Sequence, residues 1–176
     1  LHDDLVRVVA IELQRDRLKV DARVLVAGLE ASILTPLGPI AGGRRLADIG
    51  PADRLAELEF DLPLIDTRTR FAARRIGDVL LDTLTADDPI RPYSERLAAG
   101  RFDLELSGFL QGSIDALFRV TGTDGTPRFI VSDYKTNRVH DRDAAAPIDA
   151  YRPDLLVSPM VASDYPLQAL LYSVAV

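Results

Sequence analysis

Ile130-Val131-Ser132-Asp133-Tyr134-Lys135-Thr136-Asn137 starts as an apolar strand and ends by delivering an acid and a lysine two residues apart. Side chains alternate across a strand, so Asp133 and Lys135 are expected on one face, about 6–7 Å apart along it, with Tyr134 on the other. A buried strand ordinarily excludes both charges, because desolvating them is costly unless they pair or serve a metal ion and a reacting group. Alone, Asp-x-Lys is most often an exposed ion pair that signifies little. A second run changes that reading. Gly108-Phe109-Leu110-Gln111-Gly112-Ser113-Ile114-Asp115-Ala116-Leu117-Phe118 is also strand-like and carries Asp115 between Ile114 and Leu117. The turn Gly122-Thr123-Asp124-Gly125 joins the two runs, and Asp-Gly is a strong hairpin signal. An antiparallel hairpin is therefore expected to bring Asp115 and Asp133 together. Two carboxylates suit Mg²⁺ or Mn²⁺, which take oxygen ligands and keep several waters, and a neighbouring lysine can orient or deprotonate a water.

Working outward, Gly108 and Gly112 are costly inside strand patterns unless a bulge or a close approach needs them. They either bend the strand toward Asp115, let a bound backbone come near, or make a tight turn between two short strands, 104–111 and 113–121. Further upstream, residues 3–19 and 21–34 show helical spacing, the second run halted by Thr35-Pro36. Residues 46–49 are ambiguous. Residues 56–62 alternate acid and apolar side chains as a half-buried strand does, with Pro63 at its edge or end. Helical spacing returns over 71–84, and Ser94 is expected to cap a short helix over 95–99 that Gly100 ends. Residues 137–159 read as a polar, proline-broken loop with Arg138, His140, Arg142 and Arg152, long enough to face a substrate. Ser163 or Asp164 then caps a last helix with Pro166 in its first turn, on which Gln168 and Tyr172 share a face.

The 176 residues, 47% hydrophobic and 27% charged, suit one soluble globular domain. No apolar run approaches the roughly 18 residues of a membrane span, so a cytoplasmic location is the default expectation. The absence of cysteine excludes disulfides and cysteine-held iron–sulfur clusters. A net charge of −6 is not that of a protein holding nucleic acid by bulk electrostatics. The ends, Leu1 without an initiator methionine and an unfinished helical pattern at Ala169–Val176, read as those of an excised fragment, whose basic surface would then lie elsewhere. There is no Walker A loop or dinucleotide fingerprint.

Taken in order, Gly108-x-x-x-Gly112-x-Ile114-Asp115, Asp133-Tyr134-Lys135-Thr136-Asn137 and Tyr165-x-x-Gln168-x-x-x-Tyr172 resemble the successive motifs of the RecB-type nuclease domain, a branch of the PD-(D/E)XK nuclease superfamily. Leu58-Glu59-Phe60-Asp61-Leu62-Pro63 resembles the strand before that family's helical insertion. The resemblance implies an α/β fold: a restriction-endonuclease-like mixed sheet flanked by helices. On this reading residues 1–176 form one domain fragment, with a mostly helical lead-in over 1–55 and a nuclease core over 56–176 whose motifs lie at 108–172. It further implies a metal-dependent DNA nuclease within a RecBCD-type helicase-nuclease that acts in double-strand break repair and recombination. RecC-like and RecD-like partner subunits follow, with no membrane partner, and ATP serves only a helicase part outside this chain.

Carried over residue by residue, the resemblance makes Asp115, Asp133 and the main-chain carbonyl of Tyr134 ligands of Mg²⁺, with Mn²⁺ as a substitute. Lys135 would position or activate the attacking water, so Asp115, Asp133 and Lys135 are the catalytic set. Gln168 and Tyr172 would line the DNA side, or else belong to a helix packed on the sheet. One departure stands out: the family's metal-binding histidine on an early helix has no counterpart here, since neither His2 nor His140 has that context. The histidine is expected just upstream of the chain, and the isolated fragment is then expected to be weak or inactive. Two alternatives are an inactive nuclease fold that binds DNA or a partner subunit, and an AddA-type nuclease domain.

Overall fold

The computed structural model describes all residues except 65–70, 103–104, 123, 142 and 144–146. It is mixed α/β, with six α-helices and a three-stranded sheet of order β1-β4-β5 among the described residues. The chain forms two compact units: Leu1–Ala56 with Ala116–Ser132, and Glu57–Asp115 with Asp133–Val176.

In the first unit, α1 (His2–Arg15) and α2 (Ala22–Leu34) form a helical hairpin. Asp21 starts α2 by accepting the Arg23 N–H at 2.9 Å, and Thr35 leaves it in extended conformation before Pro36, the stop expected from sequence. The ambiguous 46–49 stretch is a 3₁₀ turn, Leu46–Asp48. The core is built on the distal part of β4 (Gly108–Thr121): Ala116, Phe118 and Val120 pack with Ile49, joined by Leu37, Leu46 and Ile130. These even-numbered side chains lie on one face, the period of two that a strand imposes. β5 (Pro127–Ser132) pairs antiparallel with β4 from Thr121↔Pro127 to Ala116↔Ser132. The connecting turn is held by the Gly122 N–H donating to Thr126 O at 2.8 Å and by Gly125 at φ 79°. Thr123 lies outside the described residues.

The alternating stretch is β1 (Arg54–Leu64), which enters the second unit at Glu57; it is an edge strand, which is why Pro63 is tolerated within it. The helical expectation over 71–84 is corrected at its start: Phe71–Ala72 is β2, paired with β3 (Glu105–Leu106), and α3 covers Arg74–Thr83. Ser94 is no cap. It is buried inside α4 (Arg91–Ala98) and its hydroxyl donates to Ile90 O at 3.2 Å, while Gly100 at φ 88° follows the helix end. The expected pair of strands over 104–121 is one continuous strand from Gly108 onward, so Gly112 is not a turn residue. Residues 137–159 hold a 3₁₀ turn, Pro147–Tyr151, and most of α5 (Pro153–Ala162), with Pro153 at the tolerated first position and Pro159 inside. Arg142 lies outside the described residues. α6 (Tyr165–Ala175) begins after Asp164, whose side chain makes no cap and instead holds Arg101 through two bonds of 2.6 and 2.9 Å. No helix among the described residues is long and apolar enough to cross a membrane.

Tyr93 on α4 is 1% exposed and its hydroxyl has no hydrogen-bond partner among the described residues. Burial, with the charge of Asp164 next, pushes its phenol up from 10.0 to about 12. A raised folded value means stability is full below pH 10 and falls as pH rises from about 10 to about 12. Tyr93→Phe is expected to lose that part of the alkaline decline in urea titrations at stepped pH. At neutral pH the change should stay within about 1 kcal/mol, because Asp164 beside the hydroxyl keeps its two bonds to Arg101.

Candidate active site

Asp115 lies on β4 between Ile114 and Ala116, which are 0% and 2% exposed. Its odd position turns it to the opposite face from those core residues, so the strand accepts a carboxylate here without burying it among apolar groups. The β4–β5 register ends at Ala116↔Ser132, and Asp115 and Asp133 are the next residues on the two segments. β5 itself stops at Ser132, so Asp133 and Lys135 follow the strand rather than sit within it. Asp115 closes this junction: its Oδ2 accepts the Tyr134 N–H at 2.6 Å.

From there a ring of polar contacts forms. Lys135 Nζ pairs with Asp133 Oδ2 and donates to Gln168 Oε1 at 2.7 Å. Gln168 Nε2 donates to Tyr172 Oη at 2.8 Å, and the Tyr172 hydroxyl donates at 3.5 Å to Asp133 Oδ1. The Lys135 ammonium also stands 4.3 Å from the Tyr165 ring centroid, a cation–π distance. Tyr165, Gln168 and Tyr172 are spaced i, i+3 and i+7, so one stripe of α6 supplies all three. The sequence pattern contains Tyr165, yet only the fold shows that it covers the lysine. Gln168 and Tyr172 are engaged with Lys135 and Asp133 through these bonds, so α6 holds both ends of the ion pair.

Phe60 is a participant that sequence reasoning missed. Its ring meets Tyr172 edge-on, with centroids 5.9 Å apart at 78°. Gly112 explains how Phe60 fits there. A Cβ at position 112 would lie 2.5 Å from Phe60 Cζ, so the glycine answers to a close approach, one of the two readings of its strand position. Alternation in β1 places Leu58, Phe60 and Leu62 on one face, the available sequence signal for Phe60.

Burial acts to lower the Lys135 pKa, but its hydrogen bond and charge interaction with Asp133 outweigh it, and the net is above the ordinary lysine value. Lys135 is therefore an ammonium at neutral pH, suited to hold a water or offset negative charge. Asp133 has an 18% exposed side chain, and its Oδ2 is enclosed with no hydrogen bond beyond the lysine ion pair. Asp115, Asp133 and a main-chain carbonyl at Tyr134 are hard oxygen donors, the set that Mg²⁺ or Mn²⁺ prefers. Among the described residues no three His, Cys, Asp or Glu side chains gather around one point. His2 Nδ1 contacts Glu30 Oε2 at 3.0 Å, and His140 Nδ1 contacts the Asp141 carbonyl at 2.6 Å.

The mixed α/β architecture, with Asp133 and Lys135 held against α6 and Asp115 bonded to the Tyr134 amide between them, is compatible with a nuclease-like α/β fold. No family model matches the chain. Curated relatives do: it is 42% identical over 162 residues to the RecBCD enzyme subunit RecB of Mycolicibacterium smegmatis, covering 89% of this chain. It is 45% identical over 146 residues to the RecBCD enzyme subunit RecB of Mycobacterium tuberculosis, covering 80% of this chain. The chain belongs to the RecB family and corresponds to its nuclease-domain region. It spans 14% and 12% of the length of those relatives.

Proposed function

We propose that this chain is the nuclease segment of a RecBCD-type helicase-nuclease that hydrolyses DNA phosphodiester bonds during double-strand break repair and recombination. The observation that supports the reading is the bond from the Tyr134 N–H to Asp115, flanked in sequence by the Asp133–Lys135 ion pair, in a chain 42–45% identical to RecB. Asp115, Asp133 and the Tyr134 carbonyl would hold Mg²⁺, or Mn²⁺ in its place. A divalent ion there supplies Lewis acidity to the phosphoryl group and to the attacking water. Lys135 holds that water in line and places its ammonium against charge that grows on the phosphoryl oxygens. Gln168 and Tyr172 fix the lysine's position, and Phe60 fixes Tyr172. The proposed partners are DNA and RecC-like and RecD-like subunits. ATP would serve a helicase part of the whole protein, and the location would be cytoplasmic.

The test uses the full-length protein. Chelation should abolish cleavage of linear DNA and Mg²⁺ should restore it. Asp115→Asn and Asp133→Asn should stay inactive in Mg²⁺ while ATP-driven unwinding persists. Chelator-resistant cleavage, or wild-type cleavage by both variants, rejects the reading. Two carboxylates without a third acidic or histidine neighbour among the described residues favour the second reading, a nuclease fold that binds DNA or a partner without cutting. It predicts no cleavage under any metal.

A further inference from the structure

Beside the lysine lies a cavity of about 420 Å³ that Gln168 does not line. This is within the range of about 300–1,000 Å³ usual for sites that take small organic groups. Its apolar wall is Val139, Leu156, Pro159 and Met160, and Tyr151 and Tyr165 are its aromatic members. Both rings are tied to one residue: the Tyr165 hydroxyl donates to Asn137 Oδ1 at 2.5 Å, and the Tyr151 hydroxyl donates to the Asn137 carbonyl at 3.4 Å. Tethered rings need no reorganisation to receive a flat partner. Tyr151 and Met160 remain 39% and 45% exposed, so the apolar lining faces solvent.

Charge identifies the occupant. Lys135 and Arg138 both line the cavity, and Arg138 has no ion pair or hydrogen bond among the described residues. A neutral apolar molecule needs no such cations, and a bare phosphate needs no aromatic walls. A nucleotide needs both. A stacked duplex base is unavailable to such a cavity, whereas an unstacked base of a single strand offers its π-face to tyrosine and its phosphates to Arg138 and Lys135.

We propose that this cavity takes one unstacked base of a single-stranded DNA adjacent to the phosphate presented to Lys135. The proposal rests on the nuclease reading for the role of Lys135 and adds a place beside it that holds one base. Base–aromatic stacking corresponds to about 5- to 150-fold in affinity per base.

Photocross-linking of the full-length protein tests it, in chelator so that nothing is cut. The probe is a single-stranded thymidine oligonucleotide with one 5-iodouracil, irradiated on the protein and mapped by peptide mass spectrometry. Adducts are expected on Tyr151, Tyr165 or Met160. Met160→Trp, which fills the cavity, and Arg138→Ala, which removes the phosphate contact, should each lower that yield at least about fivefold, with melting curves showing the fold intact. Asp115→Asn should keep the adduct, which supports the cavity whatever becomes of hydrolysis. Adducts only elsewhere, or an unchanged yield in Met160→Trp, overturn the proposal. DNA hydrolysis by the wild type with no adduct in this cavity overturns it too and leaves the nuclease reading standing.

Discussion

Lys135→Ala in the full-length protein is expected to lower Mg²⁺-dependent DNA cleavage by about 10²- to 10⁴-fold, the usual contribution of a positioned proton-handling or charge-offsetting side chain. ATP-driven unwinding should be retained. The expectation follows from three contacts of the same ammonium, with Asp133, Gln168 Oε1 at 2.7 Å and the Tyr165 ring at 4.3 Å, which together leave it one orientation. Removing it also leaves Asp133 Oδ2 enclosed without its cation. Breaking a fully buried pair costs about 3–5 kcal/mol. Here the lysine side chain is 34% exposed, so solvent screens part of the loss and about 1–2 kcal/mol is expected. Lys135→Arg separates charge from geometry. It keeps the positive charge in a planar fork that does not match the lysine's three contacts, and it should recover stability without recovering the rate. Wild-type cleavage by Lys135→Ala would remove Lys135 from the site.

Gly77→Ala is expected to produce the largest change in stability. Gly77 lies in α3 against α4, and a Cβ there would sit 2.3 Å from the Ala98 nitrogen and 2.7 Å from the Ser94 carbonyl oxygen. Both are backbone atoms, so no side chain can swing aside and the helices must separate. Overpacking costs about 1–3 kcal/mol and occasionally more, and the alanine recovers about 1 kcal/mol of helix propensity. A net loss of about 2 kcal/mol is expected, a fall of about 4–8 °C in Tm. Gly28→Ala is the control. That glycine is in the middle of α2 with nothing within 4 Å of the added Cβ, and the same substitution should be neutral or stabilising by up to about 1 kcal/mol. Equal effects at 28 and 77 would contradict the helix contact.

Local chemistry made part of this structure legible in the sequence. The run that Thr35-Pro36 halts is α2, and Asp124-Gly125 turns β4 into β5, because helix stops and tight turns depend on a few adjacent residues. The approach of Asp115 to the Asp133 segment followed from that turn and from strand alternation. Where several local signals competed, the reading failed. Pro153 and Pro159 look like breakers, yet one occupies a first-turn position and the other is carried within α5. Ser94 has the chemistry of a cap but is buried by packing against α3, and Asp164 serves Arg101 instead of its own helix. Phe60 could not be assigned to the site from sequence, since its role requires the gap left by Gly112 and the edge of Tyr172. Side chains that act through a third residue leave little trace in local pattern.

The central claim is that Asp115 and Asp133 share one divalent ion, and Mn²⁺ titration followed by electron paramagnetic resonance addresses it directly. With wild-type protein, Asp115→Asn and Asp133→Asn compared at equal concentration, the account predicts one Mn²⁺ site whose affinity falls at least about tenfold in each variant. Two variants that bind Mn²⁺ with wild-type affinity and stoichiometry would contradict it.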